Sequence, residues 1–223
     1  MADYSIKIQN HSGDVQSYML FQEAPKAQGI PANQVFTNVY QAAPSIQSGH
    51  NSHALFKMHK TFYAVCGTNP DPLAIDHSVT TSAAESVNLT EGDIPGSKVF
   101  LTAPGNNPEW DDSRASTTTS ANGFSIMTDT NFQYPNENNI FCGLGAKSPN
   151  DDTDILPTAT FMAHPGEQYT IWPKVLYYVT TGTFTPGTVI DVQAVGQVLP
   201  VDFETGLPDR TFIHTANGTF VPQ

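Results

Sequence analysis

The segment from Thr158 to Val195 limits the fold more than any other part of the chain. It is dense in Val, Ile, Tyr, Phe and Thr, the residue types that fit a pleated, half-buried surface. Two Pro-Gly pairs punctuate it, Pro165-Gly166 and Pro186-Gly187. Proline presets φ and glycine accepts φ > 0, so each pair suits a tight turn. The pattern predicts two successive hairpins forming a meander. Thr158–His164 would pair with Glu167–Trp172, and Val175–Phe184 with Thr188–Val195. Trp172-Pro173 then marks a bend or a sheet edge, because proline cannot donate to a ladder.

The rest of the chain has the same character. Tyr4, Ile6 and Ile8 alternate with Ser5, Lys7 and Gln9, as in a strand with one wet face. A turn at His11–Asp14 and a second strand, Val15–Gln22, predict an opening hairpin. Ala54–Cys66 is expected to be one long strand with Ala54, Phe56, Met58, Phe62, Ala64 and Cys66 toward the core. Shorter strands are expected at Gln34–Tyr40, Ser86–Thr90, Lys98–Thr102, Gly123–Tyr134 and Ile140–Leu144. Ala103–Asn122 is expected to be a long polar loop, and Lys147–Asp154 an acidic one. No stretch keeps a 3.6-residue period over three turns, and strands without intervening helices indicate a sandwich or barrel. No fixed repeat points to a propeller. The expected fold is all-β: a single-domain antiparallel β-sandwich with long loops over residues 1–223. Residues 196–223, with Pro200, Pro208 and Pro222, are expected as an extended C-terminal wrap.

Charge excludes whole classes of function. The net charge is −12 with nine Lys plus Arg, so no basic footprint can displace counterions from phosphates, and nucleic acid is not an expected partner. Attraction to an anionic membrane surface is disfavoured for the same reason. No apolar run approaches the length of a membrane span, and Met1–Ile6 lacks the features of a leader. The expected location is the cytoplasm. Charged residues are only 13%, about half the usual share, so the polar surface must consist largely of neutral hydroxyls and amides.

Cys66 and Cys142 are expected as buried, reduced thiols, with one bridge between two strand ends as the alternative. Two cysteines are too few for a disulfide scaffold or a four-cysteine zinc site.

Three groups of residues could carry chemistry. Among the histidines, His53 and His59 on one strand would lie about 20 Å apart, too far to share an ion. Only His50 and His53, in a turn, could converge on a metal, with a third ligand from His11, His77, His164 or His214. Asn150–Asp154 offers oxygen ligands but lacks the order of a twelve-residue calcium loop, so a solvated loop is the default. No nucleophile elbow, phosphate loop or His-Glu-x-x-His is present, and no motif calls for a cofactor.

The third group is polar and aromatic. Asn107, Trp110 and Asp111 in one loop, with Tyr134 and Asn136 in another, combine flat rings with amides and carboxylates. A ring can face the C–H groups of a sugar while placed polar groups bind its hydroxyls. The alternative is that Trp110 folds onto the core and the amides make local turns. In strand pattern and composition the chain resembles small β-sandwich proteins, some of which are lectins. The leading expectation is a non-enzymatic binding module, lectin-like, for a neutral glycan or a protein ligand. A self-assembling structural or storage protein, hence a homo-oligomer, is the second expectation. A small metal-dependent enzyme using the loop histidines is the third.

Overall fold

A computed structural model describes residues 4–151 and 153–223. Met1–Asp3, in the N-terminal stretch read above, and Asp152, in the candidate oxygen-ligand run, lie outside the described residues. Nineteen strands follow in order among the described residues. They are β1 (Tyr4–Asn10), β2 (Gln16–Gln22), β3 (Lys26–Gln28), β4 (Phe36–Ile46), β5 (His53–Met58), β6 (Phe62–Gly67), β7 (Ala83–Val87), β8 (Gly96–Thr102), β9 (Glu109–Trp110) and β10 (Ser116–Thr118). Then come β11 (Phe124–Thr128), β12 (Phe141–Lys147), β13 (Ile155–Met162), β14 (Gln168–Trp172), β15 (Leu176–Thr181), β16 (Val189–Ile190), β17 (Leu199–Asp202), β18 (Asp209–His214) and β19 (Phe220–Pro222). Helical structure in the described residues is confined to three short 3-10 turns. The expected all-β class is therefore correct.

The strands form three sheets. A nine-stranded sheet runs β17-β15-β2-β4-β13-β12-β6-β7, with β16 beside β4. A six-stranded sheet runs β10-β8-β11-β14-β3 with β9 beside β8, and a four-stranded sheet runs β19-β18-β1-β5. Pairing is antiparallel except for β1 with β18 and β8 with β11. The large sheet serves two cores. Cys66, Leu144 and Phe161 from it meet Leu101, Phe124 and Ile171 of the six-stranded sheet. Tyr18, Tyr177 and Val179 meet Ile6, Ile8 and Phe56 of the four-stranded sheet. The result is sandwich-like, with one long layer faced by two shorter ones.

Several expected pairings are overturned. The opening segments do not form a hairpin: β1 pairs with β18 and β5, whereas β2 pairs with β15 and β4. The turn at His11–Asp14 carries the chain across the core, so Ile6 and Ile8 face Tyr18 and Leu20 instead of lying beside them. Asn10 fastens this crossing. Its buried Nδ2 donates to the carbonyls of Asp14 and Ile46, at 2.9 and 2.8 Å.

Neither Pro-Gly turn joins neighbouring strands, the first because it crosses between sheets and the second because it skips to another strand of the same sheet. β13 and β14 belong to different sheets, so Pro165-Gly166 joins layers and not neighbours. Thr128 replaces the usual bond across that turn: its hydroxyl donates to the His164 carbonyl at 2.6 Å and accepts from the Glu167 N–H at 2.8 Å. Gly166 has φ +72°. At the second turn the Thr188 N–H donates to the Thr185 carbonyl at 3.2 Å, with Gly187 at φ +87°. That is a type II turn, consistent with the tight turn expected at this pair. It feeds β16, however, which pairs with β4 and not with β15. Gly187 N–H donates to the Val39 carbonyl at 2.7 Å, and Asn38 Nδ2 donates to the Gly187 carbonyl at 3.0 Å, which draws the turn onto β4.

Ala54–Cys66 is two strands in two sheets, broken at 59–61, although the even positions are buried in both halves as expected. Ala103–Asn122 is only partly loop, since β9 and β10 add to β8 as edge pieces. The tail is not a surface wrap. It supplies β17, β18 and β19, and Leu199, Val201, Phe203 and Phe212 enter the second core. Its prolines fit this role: Pro200 and Pro222 lie on the edge strands β17 and β19, where a missing donor costs least.

Candidate functional site

The residues proposed from the sequence are divided by the fold. Trp110 sits on the short strand β9, opposite Leu101 of β8. It is half-buried against the first core, and its indole Nε1 is buried without a hydrogen-bond partner. Asp111 caps a short 3-10 turn: Oδ1 accepts from Ser113 N–H at 3.1 Å and from its hydroxyl at 2.5 Å. Both residues line a small recess of about 100 Å³ with Glu85, Lys98 and Asp112. In this recess burial, and then the charge of Asp112, hold the Glu85 carboxyl above its ordinary range. Asn107 is exposed on the preceding turn, with its N–H bonded to the Pro104 carbonyl.

Tyr134 and Asn136 lie elsewhere, in the segment linking β11 to β12. There an open groove of about 860 Å³ is lined by Asn106, Thr130, Asn131, Gln133, Asn136 and Glu137, over Phe132 and Pro135. The Tyr134–Pro135 peptide is cis. The Tyr134 ring stacks on His164 with centroids 3.9 Å apart, and the residue is 44% exposed. Hydrogen bonds make the groove's frame. Asn131 accepts from Ala103 N–H and donates to the Thr102 hydroxyl at 2.8 Å. Asn136 donates to the Gln133 carbonyl at 2.7 Å and accepts from Asn138 N–H. Asn138 donates to the Asn106 carbonyl at 2.9 Å, and Asn139 to the carbonyls of Asn69 and Pro70. Asparagines that look like ligand groups in the sequence are therefore mostly fasteners between loops. Gln133 and Glu137 are exposed, and sequence reasoning did not single out either residue. Neither stands out in a segment already rich in amides.

The histidines meet differently from the expected pair. The His50 ring stands edge-on to His11, with centroids 4.9 Å apart. His53 instead contacts the Asn51 carbonyl at 3.4 Å. No three His, Cys, Asp or Glu side chains converge as metal ligands among the described residues. In the acidic loop, Asp151 Oδ1 accepts from the N–H and hydroxyl of Thr153, which holds its carboxyl below the ordinary value.

Comparison with known families gives one match, and it extends over almost the whole chain. The RhiA family profile spans residues 1–222. The chain belongs to the RhiA family. No curated protein and no solved structure matches it. Family membership therefore leaves the chemistry to the sites themselves. No described helix of this RhiA-family chain is long and apolar enough to cross a membrane.

Proposed function

We propose that the chain is a non-enzymatic binding module for a neutral, hydroxyl-rich ligand of the glycan class, held in the groove beside Tyr134. The supporting observation is the chemistry of the lining. Amides, a hydroxyl and the apolar Phe132 and Pro135 line it, Glu137 is the one charged residue in that lining, and the exposed Tyr134, its ring stacked on His164, stands in the chain between the lining residues Gln133 and Pro135. Such a surface can stack on the C–H face of a sugar and exchange hydrogen bonds with its hydroxyls. An anionic ligand would meet no cation in this lining and an overall charge of −12. Trp110 and Asp111 fall outside this reading, because the first is anchored on the core and the second caps a turn. The test is a glycan array probed with labelled protein. Saturable binding to a neutral glycan, competed by the free sugar, is expected; an array without a reproducible neutral hit would overturn the proposal.

Self-assembly has an observation of its own. The two edge strands of the four-stranded sheet, β5 and β19, carry exposed apolar side chains, Leu55 and Val221. Exposed apolar edges favour pairing with another copy. Light scattering across protein concentration separates this reading from a monomeric lectin.

A further inference from the structure

Cys66 on β6 and Cys142 on β12 stand directly opposite one another in an antiparallel register. Both thiols are free, fully buried and part of the first core. Their side chains therefore leave the sheet on the same face. Two neighbouring hydrogen bonds define what kind of pair this is. Ser82 N–H donates to the Cys66 carbonyl at 2.9 Å, from the β7 side. Ala163 N–H donates to the Ile140 carbonyl at 2.9 Å, from the β13 side. Backbone groups of alternate residues in a strand point the same way, so those of Cys142 follow Ile140 toward β13. Neither cysteine turns its backbone toward the other. This is a non-hydrogen-bonded pair, the closer kind, with Cα atoms typically about 4.5 Å apart. That spacing falls within the roughly 4.4–6.8 Å that a disulfide bridges.

We infer that Cys66 and Cys142 are a latent cross-strand disulfide, closed when the chain folds in the presence of a small-molecule disulfide. One cysteine thiolate attacks the small disulfide, breaking its S–S bond and releasing one small thiol. The second thiolate then attacks the protein sulfur of the mixed disulfide, forming the Cys66–Cys142 bond and releasing the second small thiol. Two protein thiols are oxidised and lose their protons, and one small disulfide is reduced to two thiols. The folded core shields both sulfurs from this exchange. Neither has solvent exposure, and burial pushes the Cys66 thiol up to about 12 and Cys142 well above its ordinary value, so little thiolate is available to attack. The bond is therefore set during folding and records the redox state the chain folded in. It closes a loop of about 75 residues and fastens two strands that already pair.

The test refolds denatured, reduced protein in a mixture of oxidised and reduced glutathione. The expected product is lighter by two hydrogens, has no thiol that reacts with maleimide in denaturant, and keeps the native β spectrum. It should melt roughly 10 °C above the reduced protein. Protein refolded from the Cys142→Ser or Cys66→Ala variant should show no such rise. Already folded, reduced protein in the same mixture should keep both thiols for hours. Two free thiols or glutathione adducts after refolding would overturn the inference. So would cross-links only between chains, or a bridged form that melts below the reduced one. Oxidation of folded protein as fast as unfolded protein would overturn the folding-time claim.

Discussion

Tyr18 on β2 and His214 on β18 join two sheets through the second core: the Tyr18 hydroxyl and His214 Nδ1 share a hydrogen bond of 2.9 Å. The histidine is 4% exposed, and Phe220 stacks on it with centroids 4.7 Å apart. Burial holds its pKa below the ordinary 6.5, although a backbone hydrogen bond with Gly218 opposes this. The sign follows. Above about pH 6.5 the ring is neutral in both folded and unfolded chains, and its full contribution is present. As pH falls below that value, the unfolded chain takes a proton that the folded chain refuses, so stability drops until the folded pKa is passed. The melting temperature should fall between pH 7.5 and 5.5, and His214→Gln should remove part of that slope. An unchanged slope would show that His214 does not titrate with folding. Tyr18→Phe, which leaves Nδ1 buried without its partner, should cost about 1–3 kcal/mol by denaturant titration.

Gly187 tests the turn. Its φ of +87° is a region that a β-branched residue avoids, and a Cβ there would lie 2.5 Å from the Val79 carbonyl oxygen. Gly187→Val should cost at least about 1–3 kcal/mol from backbone strain, with the clash added. Chemical denaturation measures it, and a wild-type midpoint would mean the loop moves to relieve both.

The Pro-Gly turns also show what the sequence could reveal. Turn chemistry is local, so Pro186-Gly187 announced a tight turn with a positive-φ glycine correctly. Pairing is not local. A strand, a turn and another strand read alike whether the second strand lies beside the first or across the core from it. One signal was available. Tyr18-Met19-Leu20-Phe21 is an unbroken apolar run, and all four residues are buried, Tyr18 and Leu20 in the second core and Met19 and Phe21 in a separate small cluster with Val39 and Ile190 on the other face. A run covered on both faces belongs inside a wide sheet and not in a terminal hairpin with one wet face. The site was less legible than the fold, because Asn136 and Asn138 have the same letters whether they fasten loops or face a ligand. Only their hydrogen bonds distinguish the two.

Trp110 and Tyr134 should separate under mutation. Trp110 packs on the first core, so Trp110→Ala should cost about 2–4 kcal/mol, somewhat below a fully buried large-to-small change because the ring is only half-buried. Glycan binding by the folded fraction should persist. Tyr134→Ala should do the reverse, abolishing binding on the array while shifting stability by less than about 1 kcal/mol. Loss of binding in both variants at equal stability would return Trp110 to the ligand site.

The last prediction concerns the tail. β18 lies between β1 and β19 in the four-stranded sheet, in parallel register with β1 from Ser5↔Asp209 to Asn10↔His214. A chain ending at Asp202 would lose β18 and β19, together with Phe203, Phe212 and His214. Phe203 packs against Tyr177 with centroids 6.0 Å apart and stacks on Tyr4 at 4.5 Å. Removal would strip β1 of one partner and expose the apolar side chains of Ile6, Ile8 and Tyr18. Each large apolar side chain returned to water costs about 1.5–3 kcal/mol, and a typical domain has only about 5–15 kcal/mol in total. The truncated chain should therefore fail to fold, with loss of the cooperative melt and of the native β spectrum. A truncated chain that melts cooperatively near the wild-type temperature would mean that 203–223 is the dispensable wrap the prolines suggest, and that the second core closes without it.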